Sequence, residues 1–126
     1  MYKPSQDLTQ MIHAASAKDE QYVIDHLAEH VDHEGIDWAM GPGIVHRHTT
    51  VRELAALILC RSSVPLTLND QRRLEAIMRT ESPIIAHRVA IALYRRGNRQ
   101  SSVEAQMDRS LADPILDKLM QNVTDE

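Results

Sequence analysis

The chain has no phenylalanine, one tryptophan, three tyrosines, one cysteine and only four glycines. Without large aromatics the core falls to 13 Ala, 12 Leu, 10 Ile, 8 Val and 6 Met among 126 residues, a mixture that suits packed helices better than the β-branched and aromatic faces of sheets. An all-α fold is expected. The single cysteine, Cys60, excludes an internal disulfide. Long hydrophobic runs are also missing: the longest, Leu54 to Cys60, has seven residues, far short of the roughly 18 that span a bilayer. The opening segment, Met1 to Asp7, has no apolar stretch of signal-peptide type. The expectation is therefore no membrane, and a cytoplasmic location. With 43% apolar residues the chain can bury one core and is too short for two. One domain, residues 1–126, is expected.

Positive charge is scarce except in the middle. Residues 1–48 hold three basic and eight acidic side chains, residues 49–112 hold ten arginines and six acids, and residues 113–126 have a net charge of −3. Nucleic-acid binding calls for a net basic domain, and the pI here is about 5.9. Nucleic acid is not an expected partner. The arginine excess reads as solvated helix surface or as pairing with the acidic first third, with a patch for an acidic protein as the sharper alternative.

Seven helices are expected. Ser5 can cap a first helix carrying Leu8, Met11, Ile12 and Ala15, and Ser16 precedes a second with Val23, Leu27 and Val31 in a stripe. Asp32 to Thr49 holds Gly35, Gly41, Pro42 and Gly43 and reads as one long loop. Thr50-Val51-Arg52-Glu53 has the form of a capping box that opens a helix to Arg61, apolar nearly all round and so buried on two sides. Beyond Pro65, Thr67 and Asn69 can cap a helix bearing Leu74, Ile77 and Met78. Ser82-Pro83 opens the next, which stops at Gly97. Ser101-Ser102-Val103-Glu104 is a second capping box, leading the stripe Val103, Met107, Leu111. Asp113-Pro114 starts the last helix, with Ile115, Leu116, Leu119, Met120 and Val123, and an acidic end, Asp125-Glu126.

Ser82-Pro83-Ile84-Ile85 and Asp113-Pro114-Ile115-Leu116 are the same opening 31 residues apart. Such a period fits helix pairs stacked into a short right-handed arc with a concave surface. Val51-Arg52, Ala55-Ala56 and Leu59, with Ile85, Val89-Ala90, Ala92-Leu93 and Gly97, resemble the first helix of HEAT repeats. From Ile91 to Val123 the chain carries Tyr94-Arg95, Gly97, Ser102-Val103-Glu104, Met107-Asp108-Arg109 and Asp113-Pro114. This quarter of the chain resembles the G subunit of the needle-protein chaperone of bacterial type III secretion, the YscG family, which is TPR-like. The fold implied is a TPR-like or HEAT-like α-solenoid.

The resemblance implies a non-enzymatic cytoplasmic chaperone that cups the amphipathic helix of a needle subunit together with a small helical co-chaperone, blocking polymerisation before export. Helix-in-groove burial is the physics. The groove would be lined by Val89, Leu93, Val103, Met107, Ile115 and Leu119, each of which also reads as plain core. A generic HEAT-like scaffold is the alternative.

Seven histidines invite a metal reading. His26, His30 and His33 lie at i, i+4 and i+7 and so share one face of the second helix, Asp25, Glu29 and Glu34 stand near, and His46 and His48 follow. A small metal-dependent enzyme using residues 26–48 is a third alternative. No His-Glu-x-x-His signature or cysteine pair occurs, so a wetted polar face opposite Val23, Leu27 and Val31 is the reading, with no metal or cofactor. Cys60 reads as a buried inert thiol and His87 as an interior or edge histidine. Gly41-Pro42-Gly43 lacks the Gly-Lys-Ser/Thr ending of a phosphate loop. Trp38 reads either as an anchor for a partner or as packing over the helices.

Overall fold

The computed structural model describes residues 4–124. It contains α1 (Gln6–Ser16), α2 (Glu20–His26), a 3₁₀ turn (Leu27–His30), α3 (His33–Trp38), a π-type turn (Ala39–Gly43), α4 (Thr49–Arg61), α5 (Leu68–Thr80), α6 (Pro83–Arg95), α7 (Ser101–Met107) and α8 (Pro114–Thr124). The fold is all-α, with eight α-helices among the described residues. The side chain of Val123 and the acidic end Asp125-Glu126 lie outside them.

The first helix starts as expected: Ser5 Oγ accepts from the Leu8 N–H at 3.2 Å, and Leu8, Met11 and Ala15 are buried. Its end sets up the second. Lys18 stands at φ 61°, with its N–H donating to Ala15 O and that of Asp19 to Ala14 O, the paired bonds of a Schellman motif. Ser16 is therefore the last residue of α1, and the cap of α2 is Asp19, which accepts from Tyr22 N–H at 3.2 Å.

The loop expected over residues 32–49 is instead a short helix and a wide turn. Asp32 Oδ1 accepts from the Gly35 N–H at 3.0 Å and starts α3, while Ile36, Trp38, Met40 and Ile44 are buried and draw the segment onto the core. A kink at Gly41 (φ −85°, ψ −106°) and the bond from Ile44 N–H to Ala39 O at 2.8 Å give the turn its five-residue reach.

Helix α4 runs to Arg61 as expected, but neither capping box forms. His48 is the N-cap of α4, without a side-chain bond, because the Arg52 guanidinium reaches back to His46 O at 2.9 Å and the chain is already turned before Thr50. Gln100, held by Asn98 Oδ1 at 3.0 Å, takes the cap position of α7 in the same way. That helix ends at Met107, leaving Leu111 outside its stripe. Thr67 caps α5 through Asp70 N–H at 3.1 Å. Helix α6 ends on Gly97 at φ 92°, where Gly97 N–H donates to Tyr94 O and Asn98 N–H to Leu93 O. Only glycine adopts this backbone without strain.

Helices α4 and α6 form the centre and pack most extensively on each other. In α4, Val51 and every residue from Leu54 to Cys60 are buried, and in α6 so are Ile85, Ala86, Val89, Ala90, Ala92 and Leu93. Helices α5 and α7 pack on α6, whereas α1, α3 and the π-type turn pack on α4. Alternate helices in contact are what stacked pairs produce. Helix α8 departs from that scheme by returning to α2, which joins the last element to the first pair.

Candidate functional site

A cleft opens where the α1–α2 turn, α4, α6 and the start of α8 converge. It holds a cavity of about 180 Å³ walled by Ala15, Val23, Leu54, Leu57, Ile84 and Ile115, with Lys18, Asp19, Glu20, Thr50 and Glu53 also on its lining. Each contribution has a local cause. The Schellman turn places Lys18 and Asp19 together, the first turns of α4 bring Thr50 and Glu53, and Pro83 at the start of α6 leads directly into Ile84.

Arg88 and Asp113 also line this cleft. Both are 3% exposed. Arg88 Nε and one terminal nitrogen donate to the two Asp113 oxygens, each at 2.7 Å, and the other terminal nitrogen donates to Glu53 O at 2.8 Å. Asp113 Oδ1 further accepts from the Leu116 N–H at 3.3 Å and so caps α8. Burial alone would raise the Asp113 pKa, but the Arg88 hydrogen bonds and charge outweigh it and hold the carboxyl below its ordinary value. This bidentate pair ties α6 to α8 and also fixes a carbonyl of α4.

The sequence reading missed the pair. Its signal was present: Arg88 is a cation in the middle of a helix, on a face shared with Ile84, Ile85, Ile91 and Ala92, which predicts a buried charge with a buried partner.

Of the residues expected to form a partner groove, Val89, Leu93 and Val103 are fully enclosed and Leu119 is nearly so, while Met107 and Ile115 pack half-buried against the core. Only Ile115 also lines the cleft. The histidine face is not continuous. His26 ends α2, His30 is buried at the end of the 3₁₀ turn and His33 opens α3, because the chain changes helical pitch twice between them. Among the described residues no three His, Cys, Asp or Glu side chains converge as a metal-binding group. His46 and His48 stack with centroids 5.2 Å apart, and desolvation, aided by His48, Arg47 and Arg52, lowers the His46 pKa.

Cys60 is buried, its thiol donates to Leu57 O at 3.2 Å, and burial pushes its pKa up to about 12. Such a thiol is a poor nucleophile. His87 sits at an edge, half-buried, with Nε2 3.3 Å from Met107 O and Nδ1 unpartnered among the described residues. Trp38 is 3% exposed and belongs to the core.

The chain matches no protein-family model, no curated protein and no solved structure in the comparisons made.

A cavity of this size sets what can enter. Small-molecule and cofactor sites usually span about 300–1,000 Å³, whereas a cavity of about 150 Å³ holds a single benzene-sized group. The cleft therefore suits one large apolar side chain presented by a longer ligand. Its charged lining can meet polar groups flanking that side chain.

Proposed function

We propose that the protein is a non-enzymatic adaptor or chaperone that binds an amphipathic helix of a partner protein. The cleft carries this reading: an apolar wall sized for one side chain, with charge beside it, is the form of an anchor pocket at a protein interface. Val89, Leu93 and Val103 have no free surface, so contact with the partner is centred on the cleft and includes Ile84 rather than a groove through α6 and α7. No helix is long and apolar enough to cross a membrane among the described residues. The specific form, a needle subunit of type III secretion held with a small helical co-chaperone, rests on the resemblance over residues 91–123.

The test places a photoreactive side chain at position 84 in the full chain, in its own cells, followed by mass spectrometry of the adducts. The expected result is an adduct to one discrete protein within an amphipathic helix, and loss of that protein from a chemically crosslinked complex on Ile84→Arg. Adducts confined to the chain itself overturn the proposal.

A further inference from the structure

Helix α8 is seated more like a bound ligand than like the other helices. The cavity of about 180 Å³ has Asp113, Pro114 and Ile115 on its wall. A second of about 110 Å³ lies further along the same helix, walled by Leu27, Ala28, Val31, Arg61 and Leu119. Protein cores are packed close to solid density, so space beside a buried helix face marks a seat that the helix does not fill.

The strongest polar attachment of α8 is at its start. Residues 108–113 form no helix, and the buried Arg88–Asp113 pair pins the start of α8. Beyond that pin Ile115, Leu116 and Leu119 face the body of the protein, while Met120 is 54% exposed.

The geometry points to α8 as an exchangeable occupant of its own binding seat. The seat, bounded by α2, α4 and α6, accepts an amphipathic helix that brings an acidic capping residue to Arg88 and apolar side chains two, three and six positions later. In the free protein α8 supplies that helix; a partner helix of the same pattern takes its place, and α8 leaves. This deepens the adaptor reading and rests on it, since the open cleft is then the uncovered end of the seat. The pattern of the occupant comes from α8 itself: Asp113, Ile115, Leu116 and Leu119.

The test uses the full chain and a fluorescent peptide copying residues 110–124. Saturating peptide is expected to accelerate amide hydrogen exchange in α8 of the wild-type protein at least tenfold while α4 and α6 stay protected. A Leu116→Ser, Leu119→Ser double variant, whose own α8 is weakened, is expected to bind the peptide at least tenfold more tightly than wild type. A peptide with Asn at the Asp113 position should bind more weakly to both. Should the double variant fail to fold, exchange in the wild-type chain decides. Exchange in α8 that is as slow as in α4 and unmoved by peptide overturns the proposal. A partner adduct at position 84 combined with an unmoved α8 would remove the exchange and leave the adaptor reading standing; exchange without any partner adduct would do the reverse.

Discussion

Gly35 shows how one atom decides a local structure. A Cβ built there would collide with the backbone oxygen of His30, which cannot move aside as a side chain end can. Gly35→Ala should cost about 1–3 kcal/mol, measurable as a lower denaturation midpoint in urea. At Asp113 the decisive quantity is charge. Its pKa lies below the ordinary value in the folded protein, so its contribution is fully present above about pH 4, the unfolded value, and is lost as pH falls through the folded pKa. Asp113→Asn leaves Arg88 buried without its counter-charge and should destabilise by about 3 kcal/mol at pH 7. Its deficit should shrink on acidification, and pH-resolved thermal melts of both proteins check this. The sequence showed Asp113 as a helix cap but not as an ion-pair partner, because a cap is a local pattern whereas Arg88 lies 25 residues away.

Among the elements, apolar periodicity located the helices and the local caps placed some of their ends. Ser5, Thr67 and Gly97 fall where the residue types put them, since each makes its bonds within its own turn. Thr50 and Ser101 do not, because side-chain contacts by Arg52 and Asn98 to the residues just before each helix turn the chain earlier. Substitution should expose the difference: Asp32→Ala removes a real capping bond and should cost about 1 kcal/mol, while Thr50→Ala should change stability by less than about 0.5 kcal/mol. Equilibrium denaturation of the two variants compares them directly. The stretch from 32 to 49 reads as a loop in sequence for a related reason. Its glycines and proline suggest breaks, but Gly35 serves a close backbone approach and Gly41 and Pro42 sit inside a turn that Ile44 and Trp38 pull inward.

The arginine excess of the middle segment also becomes legible only at this level. Arg73 donates to Met40 O, Arg88 to Glu53 O and Arg99 to Tyr94 O, while Arg96 spans the carbonyls of Leu59, Ser62, Val64 and Ala92. Burial, with help from Arg95, lowers the Arg96 pKa, yet its fork of donors satisfies helix ends that would otherwise be left open. The Arg96 contacts fasten the end of α6 to the end of α4 and the segment after it.

For the molecule as a whole, α6 is the common neighbour of α4, α5 and α7, so damage there cannot stay in one half. Leu93 is fully buried, and Leu93→Asp, which strands a charge in the core, should destabilise by at least about 4 kcal/mol. That is a large share of the 5–15 kcal/mol typical of a domain, and circular dichroism should show lost helix with a collapsed melting transition. An all-helical fold was readable from composition and spacing. The return of α8 to α2 was not, since nothing in a run of helices states which of them meet at a distance.

The lone indole has a practical consequence for watching this protein. Trp38 lies against the π-type turn, with its ring beside Gly43, and the chain has no second tryptophan. Its emission therefore samples the α3 neighbourhood, which packs on the π-type turn, α4 and the 3₁₀ turn. Departure of α8 should leave the colour of that emission unchanged, while loss of the core should move it to the red. One cuvette, read for fluorescence and for helix content together, thus separates the opening of the protein from its collapse.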